Sequence, residues 1–138
     1  MHATQPEPSG VDPTPAGTLA CAADYLSRHG WTRGVYYAST AETPPACVIG
    51  ALAIAAYGYP HPDPYSDTFA PDSADSDCWH RFVTAEHYLY DYLDLRPIDR
   101  DSLEPETLYH WNDDPARTAA EVIATLRAAA DEHPGGAA

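Results

Sequence analysis

Apolar positions recur at helical spacing in three parts of the chain, and a fourth part is apolar throughout. After Thr18, the stripe Leu19, Ala22, Ala23 and Leu26 leaves Asp24 and Arg28 outside it and stops at Gly30, which predicts a helix near 18–29. Cys47 to Tyr57 carries no charge. Its four Ala and one Leu favour helix, and Gly58 with Pro60 ends it, so the stretch is read as the buried central helix, too short to span a bilayer. Gly50, Ala51 and Ala55 give it a thin side for the close approach of another helix. A third helix over 77–94, with Asp77 as N-cap, follows from Trp79, Phe82, Val83, Leu89 and Leu93. The last, over 118–132, is marked by Thr118 and Glu121 in capping-box spacing and by Val122, Ile123, Leu126 and Ala129 or Ala130. The pattern predicts a mainly α, single-domain bundle of about four helices, with the second the most buried.

The intervening segments set the domain limits. Residues 1–17 hold Pro6, Pro8, Pro13 and Pro15 among Gly, Ser and Thr, a composition that predicts a disordered tail before a domain at 18–133 and a flexible tail at 134–138. Trp31 would fold back on the first helix, and Val35-Tyr36-Tyr37 is at most a short edge strand. Residues 58–77 make a long Pro- and Asp-rich loop without a basic residue, which Tyr57, Tyr59, Tyr65 and Phe69 are placed to pin down. Residues 98–110 read as a connector, with one turn around Pro105 to Leu108.

Charge narrows the function classes. The 138 residues carry 21 acidic side chains against seven basic ones, all Arg, for a net charge of −14. Direct binding to nucleic acid or to an anionic membrane needs a basic face, so both are disfavoured and a basic protein partner is favoured. Nine acidic residues lie between Glu86 and Asp114, beside the five-Asp loop. On the third helix and after it, Glu86, Tyr90, Asp91, Asp94, Asp99 and Asp101 are read as an acidic, Tyr-bearing interaction face. Three widely spaced Cys, with no Cys-x-x-Cys pair, point away from a disulfide framework and toward a reducing cytoplasm. The first residues have neither the basic start nor the apolar run of a signal peptide.

Candidate chemistry is sparse. A thiol at a helix start is stabilised as thiolate by the helix dipole, so Cys47 is a candidate nucleophile, with His110 as base and Asn112 or Asp113 as orienter. The competing reading is a small buried Cys, because no Gln or Gly-rich oxyanion segment precedes it. Cys78, His80 and His87, or His29 and His61 with another Cys, lack paired metal-ligand spacing, and Asp75-x-Asp77 lacks the Gly and distant Glu of a calcium loop; no metal or other cofactor is expected. His110-Trp111-Asn112-Asp113-Asp114-Pro115 reads as a turn with Trp111 plugging the core.

The order Gly30-Trp31-x-x-Gly34, Cys47-x-x-Gly50-Ala51-Leu52, Trp111-Asn112-Asp113 and Arg117-Thr118 to Glu121-Val122-Ile123 resembles an uncharacterised family of small actinobacterial and actinophage proteins, over roughly residues 18–132. The resemblance implies a compact, mainly helical domain found in cellular and phage genomes and implies no activity. The expected function is a non-enzymatic, acidic protein-interaction module. The alternatives are an acidic nucleic-acid mimic that inhibits a basic partner, and a hydrolase or transferase using Cys47 and His110.

Overall fold

A computed structural model describes residues 14–95 and 107–132. Among them are five helices and no strand: α1 (Pro15–His29), α2 (Val48–Tyr57), α3 (Ala74–Leu93), α4 (Leu108–Asp113) and α5 (Ala119–Glu132). The fold is a small all-α bundle, as the hydrophobic pattern predicts.

Several boundaries differ from expectation for identifiable reasons. Helix α1 starts three positions before Thr18, at Pro15, because Thr14 caps it by accepting from the Gly17 N–H at 3.0 Å. Proline suits the first helical position, where its missing N–H would have no intrahelical partner. Residues 14–17 are therefore ordered, while the rest of the expected tail, and the tail at 134–138, lie outside the described residues. Ser73, not Asp77, caps α3 by accepting from Ser76 N–H at 3.1 Å. Asp75 and Asp77 then fall in the first turn, where negative charge complements the helix dipole. The expected turn at His110 to Pro115 is for most of its length the short helix α4, capped by Thr107, with Leu108 and Trp111 turned inward. At α5 only half of the capping box forms. Thr118 Oγ1 accepts from the Glu121 N–H at 3.2 Å, but the Glu121 carboxylate goes to Arg117 Nη1 at 2.8 Å, because a donor that is itself charged outcompetes a neutral backbone N–H for the carboxylate.

Helix α2 is the centre. Every residue of it except Ile54 and Tyr57 is buried, and it packs on α1, α3 and α4, while α5 covers the other side of α1. At Gly50 what approaches is not another helix but the backbone of the α1–α2 connection. A Cβ on Gly50 would lie 2.3 Å from the Tyr36 carbonyl oxygen. That oxygen accepts from Cys47 N–H at 3.0 Å, and Ala46 bridges both Trp31 and Tyr37. The expected strand at 35–37 is reduced to these isolated bridges, since its pairing with residues 45–47 stops at the bonds from Cys47 N–H to Tyr36 and from Ala38 N–H to Pro45, beyond which Cys47 leads into α2.

The 58–73 loop is held by tyrosine hydroxyls. Tyr57 donates to the Pro64 carbonyl at 2.9 Å, Tyr37 to the His61 carbonyl at 2.7 Å and Tyr65 to Glu86 on α3, while Phe69 packs on Trp79. Tyr59, expected among the pins, is exposed, and its ring lies against those of Tyr57 and His61.

Gly50→Ala tests the close approach. The new methyl would strike backbone and not a flexible side chain, so the variant is expected to lose about 2–3 kcal/mol in urea denaturation, as overpacked cores do. Gly58→Ala, at the left-handed end of α2 with open space around it, is expected to lose about 1 kcal/mol. Equal losses would show that Gly50 is not sterically required.

Candidate functional site

The site forms where the α1–α2 connection meets α4, and one side chain holds the two together. Asn112, 1% exposed, uses its whole hydrogen-bonding capacity there. Its Oδ1 accepts from Trp31 Nε1 at 2.7 Å and from Val48 N–H at 2.9 Å. Its Nδ2 donates to the Thr32 carbonyl at 3.1 Å and to Asp113 Oδ1 at 2.9 Å. The two N–H donors on one side and two oxygen acceptors on the other also fix which way round the amide sits. Asp113 Oδ1 accepts in addition from Gly34 N–H at 3.0 Å, so α4 grips the connection at three of its residues.

The clasp borders a cleft of about 340 Å³. Gly34, Val35 and Tyr36 line it from the connection; Tyr109, Asn112 and Asp113 line it from α4, with Cys47 between. Tyr36 and Tyr109 stack at 6.1 Å with their hydroxyls hydrogen-bonded at 2.6 Å. Val35 and Tyr109 are among the large apolar side chains left exposed. Two arginines flank the clasp. Arg33 lies over the Trp31 ring at 4.7 Å and donates to the carbonyls of Pro115 and Arg117. Arg117 lies over the Trp111 ring at 4.3 Å, donates to the Trp111 carbonyl at 2.9 Å and pairs with Glu121.

Of the candidate catalytic residues, the fold brings together Cys47, Asn112 and Asp113 and leaves out His110, which is exposed and does not line the cleft. None of the four Asn112 bonds goes to His110, so the amide orients backbone and indole and not an imidazole. Cys47 caps α2, its Sγ accepting from Gly50 N–H at 3.3 Å. Burial pushes its pKa up to about 11, against the lowering by the Gly50 and Ile49 N–H groups, and the Asp113 charge raises it further. The thiol is therefore protonated at neutral pH, the opposite of an activated nucleophile. Desolvation outweighs the dipole effect on which the nucleophile reading relied.

The acidic face on α3 is not assembled as expected. Asp91 and Asp94 are exposed, but Glu86 and Tyr90 are 6% and 9% exposed, while Asp99 and Asp101 lie outside the described residues. Glu86 receives the Tyr65 hydroxyl, and Tyr90 Oη accepts from Leu108 N–H at 3.1 Å. The signal was in the spacing: Phe82, Glu86, Leu89, Tyr90 and Leu93 follow one helical stripe, and the charge of Glu86 masked its membership. Burial raises the Glu86 pKa above its ordinary 4.5, with the Tyr65 bond and His87 pulling the other way.

Among the described residues no group of three or more His, Cys, Asp or Glu side chains is placed to hold a metal, and no helix is long and apolar enough to cross a membrane. His80 Nδ1 donates instead to the Ser76 carbonyl of its own helix at 2.8 Å. The cleft residues that sequence reasoning missed are Gly34, Val35, Tyr36 and Tyr109. Tyr109 beside the Trp-Asn-Asp run was the only local hint, because nothing in the sequence pairs it with Tyr36.

Residues 10–132 match the model of the Family of unknown function (DUF6197), and the chain belongs to that family. No curated protein and no solved structure matches it.

Two expectations follow. Asn112→Ala strands Val48 N–H and Trp31 Nε1 without acceptors, and with about 1–3 kcal/mol for each unsatisfied group a loss of roughly 3 kcal/mol or more is expected in urea denaturation. A loss under about 1 kcal/mol would mean that water replaces the amide. For Glu86, a raised folded-state pKa gives stability that is complete below the unfolded value and is lost as pH rises through the folded one. Relative to the uncharged Glu86→Gln variant, the native chain should therefore be equally stable near pH 4 and less stable near pH 8. A gap that widens toward low pH would show that the carboxylate form is the one favoured.

Proposed function

We propose that this member of the family is a protein-interaction module whose docking point is the Tyr36–Tyr109 cleft, and that it takes a basic segment of a partner without performing chemistry on it. The observation that carries the proposal is the composition of the cleft. An aromatic and aliphatic wall with exposed Val35 and Tyr109 stands beside the Asp113 carboxylate, over a hub whose polar groups are already paired. Concave, largely apolar sites with a few placed polar groups are the usual form of binding sites. A hub saturated by its own backbone holds shape, and a protonated Cys47 adds volume instead of reactivity.

The charge supports the choice of partner. At −14 the chain attracts a cationic segment from a distance and raises its encounter rate, while the cleft supplies the local contact. The docking point thereby moves from the α3 face, where Glu86 and Tyr90 are turned inward, to the junction of the connection with α4.

Affinity capture at low salt tests this with the native chain and Val35→Arg, a change at a 53% exposed position that fills the mouth of the cleft without disturbing the core. A protein retained by the native chain, lost on Val35→Arg, and released as salt rises is the expected result. Recovery of the same proteins by both chains, or of none by the native chain, would overturn the proposal.

A further inference from the structure

The docking reading leaves open what enters the cleft, and the geometry points to one kind of side chain. We infer that the cleft is a receptor for a single arginine of a partner polypeptide, its guanidinium stacked on the Tyr36–Tyr109 pair and paired with Asp113. The inference rests on the docking reading and adds the chemistry of the occupant.

Asp113 is the first reason. Gly34 N–H and Asn112 Nδ2 both donate to the same oxygen, Oδ1, at 3.0 and 2.9 Å, which pins the carboxylate in one orientation. Among the described residues Oδ2 has no hydrogen-bond partner, so it is the acceptor left to a ligand. The protein's own cations near the site are engaged elsewhere. Arg33 bonds the carbonyls of Pro115 and Arg117, and Arg117 bonds the Trp111 carbonyl and Glu121. Neither guanidinium neutralises Asp113.

The aromatic wall is the second. The Tyr36 and Tyr109 rings are 28° from parallel, and their hydroxyl bond holds both in place. A planar guanidinium stacks on such a face and keeps its edge N–H groups for a carboxylate, which the compact, strongly hydrated ammonium of lysine does less well. Val35 offers apolar surface to the aliphatic stem.

An anionic ligand does not fit. The N–H groups that α2 would aim at it are already taken, Val48 by Asn112 and Gly50 by Cys47. A volume of about 340 Å³ is at the small end of ligand sites and suits one long side chain. Exposed Val35 and Tyr109 at its edge give the flanking polypeptide something to lie on, which free arginine would not use.

Titration of the isotope-labelled full chain by NMR, with blocked Gly-Arg-Gly, its citrulline and lysine counterparts and free arginine, tests the inference. The amides of Gly34, Val35, Tyr109 and Asp113 are expected to shift, with the neutral citrulline peptide binding about tenfold or more weakly and the lysine peptide in between. Asp113→Asn keeps an oxygen for Gly34 and Asn112 and is expected to weaken the arginine peptide about tenfold while leaving the citrulline peptide unchanged. Should that variant fail to fold, the contrast between arginine and citrulline on the native chain decides alone. Equal binding of citrulline or lysine, equal binding of free arginine, shifts confined to other residues, or no shifts with any peptide would each overturn it. Partner capture that depends on Val35 while the peptides fail leaves docking intact and removes only the arginine. Capture indifferent to Val35→Arg removes docking itself.

Discussion

A single buried amide governs how this fold closes. Asn112 ties the indole of Trp31, the carbonyl of Thr32, the first N–H of α2 and the Asp113 carboxylate into one node, joining α4 to residues 64 to 81 positions earlier in the chain. Fully satisfied buried polar networks specify one arrangement because each partial version leaves a desolvated donor or acceptor. The short α4 could not hold its place through local helix formation alone, since a helix of six residues closes too few hydrogen bonds to offset nucleation. It is held by what Asn112, Leu108 and Trp111 do inside the domain.

The node also explains the crowding on the opposite side of the connection. With Trp31 and Thr32 drawn to α4, the chain returns across the start of α2, and the Tyr36 carbonyl comes to rest against Gly50. That oxygen then serves Cys47 N–H, so backbone from an irregular segment satisfies a helix start that a side chain would otherwise have to cap. Tyr36 is carried to Tyr109 by the same path. The cleft is thus a by-product of the closure, with walls that are rigid because the closure is.

On the other flank, the 58–73 loop is fastened through tyrosines whose hydroxyls reach carbonyls or Glu86. An irregular segment on a helical body has backbone groups that lack ladder partners, and phenolic hydroxyls at the end of long apolar rings satisfy them while the rings add to the core. Glu86 is the exception to an otherwise apolar stripe. Its burial makes the stability of this flank respond to pH, whereas the bonds Asn112 makes to the Trp31 indole, the Thr32 carbonyl and the Val48 N–H involve no titratable group.

How much of this was legible divides along the range of the interactions. Helix stripes, the charge-free α2 with its Gly58 stop and the all-α class follow from local periodicity and backbone preference, which are properties of neighbouring residues. The actual caps at Thr14 and Ser73 were readable in principle, but they competed with Thr18 and Asp77, and local chemistry alone does not rank such neighbours. Three of the four candidate catalytic residues do meet, yet the reaction imagined for them does not follow, because burial of Cys47 and the saturation of Asn112 depend on what surrounds them. Glu86 and Tyr90 were misread for the same reason: charge signals exposure only until a partner such as Tyr65 or Leu108 N–H is brought from elsewhere in the chain. The sequence by itself determined which segments are helical and which helix must be covered. Tertiary structure alone decided the Asn112 node, the meeting of Tyr36 with Tyr109 and the cleft beside them, since each depends on contacts between residues 64 to 81 positions apart that no local pattern encodes.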